Sequence, residues 1–318
     1  MGEEMRAVTF NRYGPPEVLQ LGRMPIPAIG PDEVLVRVKA ASINPADCKL
    51  RSGAFRFFSG SRFPMTPGLD VAGEVARVGE KVTAFKPGDA VYGFINVRKG
   101  GGAYAEYACI SARGLASKPE KLSFVEAGAV GVGALTALQG MRDKGGLKAG
   151  GEVLIIGASG GVGTFAVQIA KVLDARVTGV CSSRNVELVR ELGADRIIDY
   201  TKEDFAKDAA RYDVILDTVD GDYARSLPLL KPGGAFVTIV ASPKVFVRSV
   251  LSALPGMKKV STFLAEPNGD DLRLLAGWLE TGKVKPVIDR VFPLEQAAEA
   301  HQASESGRAR GKLVLEVR

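Results

Sequence analysis

Residues 157–163 read Gly-Ala-Ser-Gly-Gly-Val-Gly and join an apolar run to a second apolar stretch ending near Ala170. Two chemistries fit that spacing. As G-x-S-x-G, Gly157, Ser159 and Gly161 form a nucleophile elbow, in which a strand-to-helix turn exposes a serine hydroxyl. As spaced glycines, Gly157, Gly160 and Gly163 form a stretched dinucleotide fingerprint. Glycines let the backbone approach a pyrophosphate, and the following helix offers unpaired N–H groups and a positive dipole end. A tight turn that binds nothing is the plain alternative.

The elbow needs a base, and the one histidine of the chain is His301. The order Ser, acid, His suits a hydrolase, but Gly163 has no task in an elbow. His301 falls in the polar helical stretch "EQAAEAHQA", where a half-exposed surface position is expected. The nucleotide reading has the context it requires: a strand before the turn, a helix after it, a βαβ unit around it. An NAD site places an acidic side chain about 20 residues on, at the end of the second strand. Here that place reads "VCSSRN" (180–185), with Ser182, Ser183 and Arg184 and no carboxylate. Hydroxyls and a guanidinium hold a 2′-phosphate that a carboxylate would repel, so NADP(H) is favoured over NAD(H). The same residues also suit a helix N-cap, and Ser183 fits both tasks.

The elements around these residues fall into two kinds. Up to about residue 118 the pattern is β: "EVLVRVKAASI" (33–43), "DVAGEVARVG" (70–79), "AVYGF" (90–94) and "AYAEYACIS" (103–111), separated by Gly, Pro and Asp. Many short strands without a strong helix predict an antiparallel barrel-like unit. From Pro119 the character changes. Ser123-Phe-Val-Glu126 is a capping box before the apolar run 127–141, and strands then alternate with helices, which means a doubly wound parallel α/β sheet. After Leu264 the pattern is mixed. An α/β domain (119–264) is therefore expected between two pieces of a β domain, 1–118 and 265–318.

A chain of 318 residues is long for a single core. The net charge of +6 comes without a Lys/Arg tail or a recognisable nucleic-acid module. Cys48, Cys109 and Cys181 are odd in number and far apart, which argues against a disulfide framework or a CxxC metal site and for a reducing, cytoplasmic setting. The first residues lack the pattern of a signal peptide, and Arg6 stands where a myristoylation signal wants Ser or Thr. No apolar run approaches the ~18 residues of a membrane span.

With these motifs the sequence resembles the medium-chain dehydrogenase/reductase superfamily, in its zinc-independent quinone oxidoreductase and alkenal/enone oxidoreductase branch. The resemblance covers essentially the whole chain, through "ASINPADCKLRSG" (41–53), "TPGLDVAGEVARVG" (66–79), "KPGDAVYG" (86–93), "GASGGVG" (157–163), "LGADRIIDY" (192–200) and "RGKLVLEV" (310–317). It implies a GroES-like β-barrel catalytic domain with a Rossmann domain inserted in it, and an active site between the two. The zinc-dependent branch has Cys where this chain has Asn44, and His-Glu where it has Leu69-Asp70. With one histidine and no cysteine cluster, no zinc site of that kind can be built. Alcohol oxidation is then disfavoured, and hydride delivery to a quinone or to the β-carbon of an α,β-unsaturated carbonyl remains.

Carried over residue by residue, the resemblance assigns Ser159, Gly160, Gly161, Val162 and Gly163 to the pyrophosphate. Ser182 and Arg184 go to the 2′-phosphate, with Ser183 and Asn185 nearby. Tyr200 is implied near the adenosine, Thr136 and Phe263 near the nicotinamide, and Arg310 and Lys312 at a C-terminal cofactor contact. Asp220 departs from the pattern, which more often has glycine there. Asn44 is the candidate donor to an enolate oxygen, with Asp47 positioning either Asn44 or the ribose and Tyr104 as another donor. Asn-Pro-Ala-Asp is also a good turn, and Tyr104 fits packing equally well. Phe55, Phe57 and Phe58 are candidates for the wall of an apolar substrate pocket or for barrel packing. A homodimer is implied. An NADP(H)-binding sensor with little turnover is the alternative from another class. None of the seven tyrosines has Lys four residues on, which excludes the short-chain reductase pattern.

Overall fold

The computed structural model describes residues 3–56, 62–96, 102–220, 223–240, 245, 247–249, 252 and 258–318. In chain order its elements are β1 (Glu4–Thr9), β2 (Gln20–Pro25), β3 (Glu33–Ile43), α1 (Pro45–Ser52), β4 (Asp70–Val78), β5 (Ala90–Phe94), β6 (Tyr107–Ser111), β7 (Leu115–Ser117), α2 (Phe124–Gly128) and α3 (Gly131–Gln139). There follow β8 (Glu152–Ile156), α4 (Gly163–Val172), β9 (Arg176–Cys181), α5 (Val186–Glu191), β10 (Arg196–Asp199), β11 (Tyr212–Asp217), α6 (Tyr223–Ser226), β12 (Leu230–Thr238), β13 (Lys259–Thr262), α7 (Gly269–Glu280), β14 (Ile288–Pro293), α8 (Ala297–Glu305) and β15 (Lys312–Glu316). They form two compact units, one of residues 1–132, 266–282 and 286–318, the other of 133–265 and 283–285.

The first unit is built around β3. That strand pairs antiparallel with β4, β6 and β15, within a sheet of order β14-β15-β3-β4-β5-β7. Val34, Val36 and Val38 point into a core completed by Phe10, Leu50, Ile110 and Leu313. Central position explains why the end of β3, Ala40 to Ile43, is buried on both faces. Pro45, whose φ is preset for a first helical turn, opens α1 directly after β3. Gly53 ends α1 in the left-handed region at φ +87°, where a Cβ would lie 2.9 Å from the Tyr13 ring.

The second unit holds a six-stranded parallel sheet of order β10-β9-β8-β11-β12-β13. Numbered within the unit this is 3-2-1-4-5-6, the Rossmann order, whose strand order reverses at β8 and β11. Residues 153–156 of β8 are all buried, as a strand covered on both faces must be. Residues 163–170 of α4 are buried without interruption.

Three expectations change. The strand expected over 103–111 begins only at Tyr107, because Ala103 and Tyr104 give their N–H groups to Gly68 and Pro67 at 3.0 Å each instead of to a strand partner. The apolar run after the Ser123–Glu126 capping box, which is present, divides into α2 and α3. It breaks where Gly128 and Gly131 press on their neighbours, so that added Cβ atoms would come within 2.9 Å of Ala40 Cβ and 2.5 Å of Asp70 Oδ1. His301 is fully buried, not half-exposed: on α8 its ring meets the Tyr104 ring edge-on, with centroids 5.7 Å apart.

Candidate functional site

In the second unit the glycine turn has the geometry of a cradle. Gly157 takes φ +82°, open to few residues but glycine. A Cβ on Gly163 would lie 2.1 Å from Gly157 O, so no other residue lets α4 start this close to β8. A Cβ on Gly160 meets nothing nearer than 3.4 Å, and that position faces open space. Asn185 ties the turn to the end of β9. Its Nδ2 donates to Ser159 Oγ at 2.8 Å and reaches Ser182 Oγ at 3.5 Å, while its buried Oδ1 has no hydrogen-bond partner among the described residues. The turn and the "SSRN" segment thus form one surface, with an orphaned acceptor available to a ligand hydroxyl.

Ser183 does not cap a helix. Its hydroxyl donates to Asp199, which also accepts from the Thr201 hydroxyl at 2.7 Å and amide at 3.1 Å. The Ser183 hydrogen bond, with those from Thr201, holds the Asp199 carboxyl down at about 2. Asp199 ends β10; the sequence assigns it no role beyond its place in "LGADRIIDY" (192–200). Tyr200 beside it is 60% exposed. Thr136 is buried, and Phe263 packs near Gly140 and under the Lys144 ammonium, 6.0 Å from the ring centroid. Asp220, where the resemblance favours glycine, adopts φ +69°, the backbone region that glycine enters freely.

The hydrolase reading fails on partners. Ser159 Oγ is held by Asn185, and His301 Nε2 lies 3.3 Å from Tyr104 Oη in the other unit. Burial lowers His301 to about 3, so it stays neutral. The cysteines are no better as nucleophiles: burial pushes the Cys48 thiol up to about 12 and Cys181 to about 11.

The first unit carries a second cluster, built mainly of side chains. It forms where β3 ends, α1 begins, β4 begins and β15 begins. Antiparallel pairing of Leu313 with Ile43 brings Lys312 and Asn44 together. Lys312 Nζ donates to Asn44 Oδ1 at 2.6 Å and to Asp70 Oδ2 at 3.1 Å. Asn44 Nδ2 donates to Asp70 Oδ2 at 3.0 Å and to Asp47 Oδ2 at 3.2 Å. The Ser42 hydroxyl also donates to Asp70, whose other oxygen accepts the Val132 amide at the start of α3 at 2.5 Å. Asp47 accepts the amides of Asn44 and Gly68 at 2.8 and 3.1 Å. Burial, helped by neighbouring Asp70, raises the Asp47 carboxyl to about 7 against the hydrogen bonds from Asn44. Tyr104, fully buried, is held well above its ordinary range by burial and by Asp47.

Of the residues named from the sequence, Asn44, Asp47 and Lys312 meet in this cluster, with Tyr104 against it. Arg310 is exposed two residues before Lys312, and Phe55 is partly buried. Phe57 and Phe58 lie outside the described residues. Ser42 and His301 were not foreseen as members, because they join across 28 and 197 residues to Asp70 and Tyr104. Among the described residues no group of three or more His, Cys, Asp or Glu is arranged to hold a metal ion, and no helix is long and apolar enough to cross a membrane.

A GroES-like N-terminal unit, a Rossmann-ordered sheet and these two clusters define a medium-chain dehydrogenase/reductase. The pattern described as "Alcohol dehydrogenase GroES-like domain" matches residues 30–120, and that described as "Zinc-binding dehydrogenase" matches 192–315. The chain is 37% identical to 2-methylene-furan-3-one reductase of Solanum lycopersicum, over 98% of this chain and 79% of that one. It is 36% identical to the chloroplastic NADPH-dependent alkenal/one oxidoreductase of Arabidopsis thaliana, over 98% and 80%. The solved quinone oxidoreductase from Coxiella burnetii superposes with a TM-score of 0.92 at 35% identity, over 99% of this chain and all of that one. The chain belongs to the medium-chain dehydrogenase/reductase family, among its quinone and alkenal/one oxidoreductases.

Proposed function

We propose that this protein is a zinc-free, NADPH-dependent reductase of quinones or α,β-unsaturated carbonyls. The observation that carries the reading is Lys312. Its ammonium is held by the Asn44 amide oxygen and the Asp70 carboxylate, the side chains at the positions where the zinc-dependent branch has metal ligands. Leu69 offers no donor atom, and a second cation there would face the ammonium at contact distance. The donor set therefore suits a lysine and not a zinc ion, which prefers N and S ligands in tetrahedral array.

Bound NADPH would supply the hydride. Ser159 to Gly163 fit its pyrophosphate, and Asn185 Oδ1 is the acceptor left for a hydroxyl. Ser182 and Arg184 are offered to the 2′-phosphate. Ser183 contributes less than its sequence position implied, since its hydroxyl hydrogen is committed to Asp199. Thr136 and Phe263 are assigned to the nicotinamide side, Tyr200 to the adenosine. A substrate already electrophilic needs no metal to accept hydride, only a donor for the oxygen on which charge develops. A homodimer is part of the proposal: β13 has a partner only on its β12 side among the described residues.

The test is NADPH oxidation followed at 340 nm, beside NADH, with a panel of enones and 1,4-quinones and with EDTA present. EDTA-insensitive turnover that prefers NADPH is expected. Tight NADPH binding without turnover across the panel would replace the enzyme reading with a sensor, and loss of activity in EDTA would overturn the zinc-free one.

A further inference from the structure

The cluster in the first unit contains several polar hydrogens, and an inventory of their partners separates them. Asn44 has one amide oxygen and two amide hydrogens. The oxygen accepts from Lys312, and the nitrogen donates to Asp47 and Asp70. Nothing on its side chain is left to donate. The Ser42 hydroxyl is committed to Asp70. Tyr104 is fully buried and surrounded by Ser42 O at 3.5 Å, His301 Nε2 at 3.3 Å and Asp47. Lys312 differs. Its ammonium has three hydrogens, and two go to Asn44 and Asp70. The third has no partner among the described residues.

Burial points to the same side chain. Asp47, Asp70 and Tyr104 have no exposed surface, whereas Asn44 and Lys312 each keep 3%. A molecule that reaches the cluster from solvent meets Asn44 or Lys312, whose side chain is 4% exposed, and of the two only Lys312 has a hydrogen to give. Its position is fixed: the Lys312 amide donates to Val287 O at 2.8 Å, and Gly311 takes φ +72° where a Cβ would lie 2.2 Å from that same oxygen. A desolvated ammonium anchored on two sides is a preorganised donor, and it loses little by reorganising when charge appears beside it.

We infer that Lys312 is the catalytic hydrogen-bond donor to the substrate oxygen, and that Asn44 is a positioning residue that aims it. The inference rests on the reductase reading above. The substrate gains a hydride at its β-carbon, and the C=C electron pair shifts so that the carbonyl oxygen becomes an enolate oxygen. That oxygen accepts the third Lys312 hydrogen, the ammonium stays protonated, and a proton from water completes the α-carbon. The nicotinamide leaves oxidised, so the sum is NADPH plus enone plus one proton giving NADP+ and the saturated ketone.

The experiment compares the wild type with Lys312→Met, Lys312→Arg and the double variant Lys312→Met/Asp70→Asn, which removes the carboxylate that Lys312 pairs with. NADPH affinity is measured by cofactor fluorescence and folding by circular dichroism. Kinetics use para-substituted aryl enones of graded electrophilicity. Removing one oxyanion donor lowers kcat by roughly 10²–10³, and that loss is expected in both Met variants with NADPH affinity within about threefold of wild type. Lys312→Arg should recover part of it. Dependence of rate on the substituent should steepen in the Met variants, a change that a purely structural role would not produce. Unchanged kcat with a raised KM for NADPH makes Lys312 a cofactor contact and overturns the inference, as does an equal loss with an unchanged substituent slope. A wild type inactive on every enone overturns the reductase reading itself, a separate outcome.

Discussion

The two clusters are built on opposite principles. The cradle of the second unit is mostly backbone. Its members lie within residues 157–163 and 182–185, and glycines make it by what they lack. The cluster of the first unit is mostly side chain, with the amides of Asn44, Gly68 and Val132 completing it. Its members come from residues 42–47, 70, 104, 301 and 312, and each is held by another. At Gly163 the backbone site tolerates no added atom, and the side-chain site tolerates no removed charge. The first therefore responds to volume, the second to pH and to charge balance.

Gly163→Val is the sharpest break of the cradle. A Cβ at that position lies 2.1 Å from Gly157 O and 2.8 Å from the Ala158 backbone, and neither neighbour can rotate away. The expected result is loss of NADPH binding by at least ~100-fold, a fall in Tm of several degrees, and a first unit whose Asp47 titration is unaltered. Isothermal titration and a thermal melt measure it. Wild-type affinity in this variant would mean that the close approach of α4 to β8 does not shape the site.

The side-chain cluster should show itself in the pH dependence of stability, through two groups of opposite sign. His301 is lowered from 6.5 to about 3, so the unfolded chain takes up the proton first, and stability falls as pH drops from about 6.5 toward 3. Complete, this amounts to roughly 5 kcal/mol at 1.36 kcal/mol per pKa unit. Asp47 is raised from 3.8 to about 7. The native state holds that proton longer than the unfolded chain, so its contribution is full below about pH 4 and is lost as pH rises to 7, by roughly 4 kcal/mol. The limbs oppose between pH 4 and 6.5. The two slopes nearly cancel in the wild type over that range, so urea denaturation at several pH values should give a stability that falls as pH rises from 4 to 7 for His301→Gln, and one that rises from pH 4 to 6.5 for Asp47→Asn. Parallel curves for wild type and variants would remove both groups from the account.

The smallest effect belongs to Asp199. Asp199→Asn removes a carboxylate beside the segment offered to the 2′-phosphate and frees the Ser183 hydroxyl. The ratio of NADPH to NADH affinity should rise about three- to tenfold, and the gain should shrink in high salt. Competitive titration of the two nucleotides tests it, and an unchanged ratio would detach Asp199 from cofactor choice.

Much of the architecture was legible because it is written in short-range patterns. Continuous Val/Ile/Leu runs alternating with helical periods call for a parallel sheet, and strand-glycine-helix spacing calls for a cradle. Asn44 stood out because the resemblance sets it where the zinc-dependent branch has a cysteine, and Asp47 because it lies three residues on in the same Asn-Pro-Ala-Asp stretch. The breaks in expected elements occur where a distant segment intrudes: Pro67 and Gly68 take the amides of 103 and 104, and Ala40 presses on Gly128.

Residue types and near-neighbour spacing thus determined the strand and helix patterns of the two kinds of domain, the strand-glycine-helix turn and the presence of a single histidine, since each is written in the local sequence or the composition. Only the tertiary structure decided what those side chains do. It set Lys312 against Asn44 across 268 residues, turned Ser183 to Asp199, and buried His301 behind Tyr104. A hydrogen bond depends on atoms a few ångströms apart, and no spacing along a chain encodes which distant strand end will supply the partner.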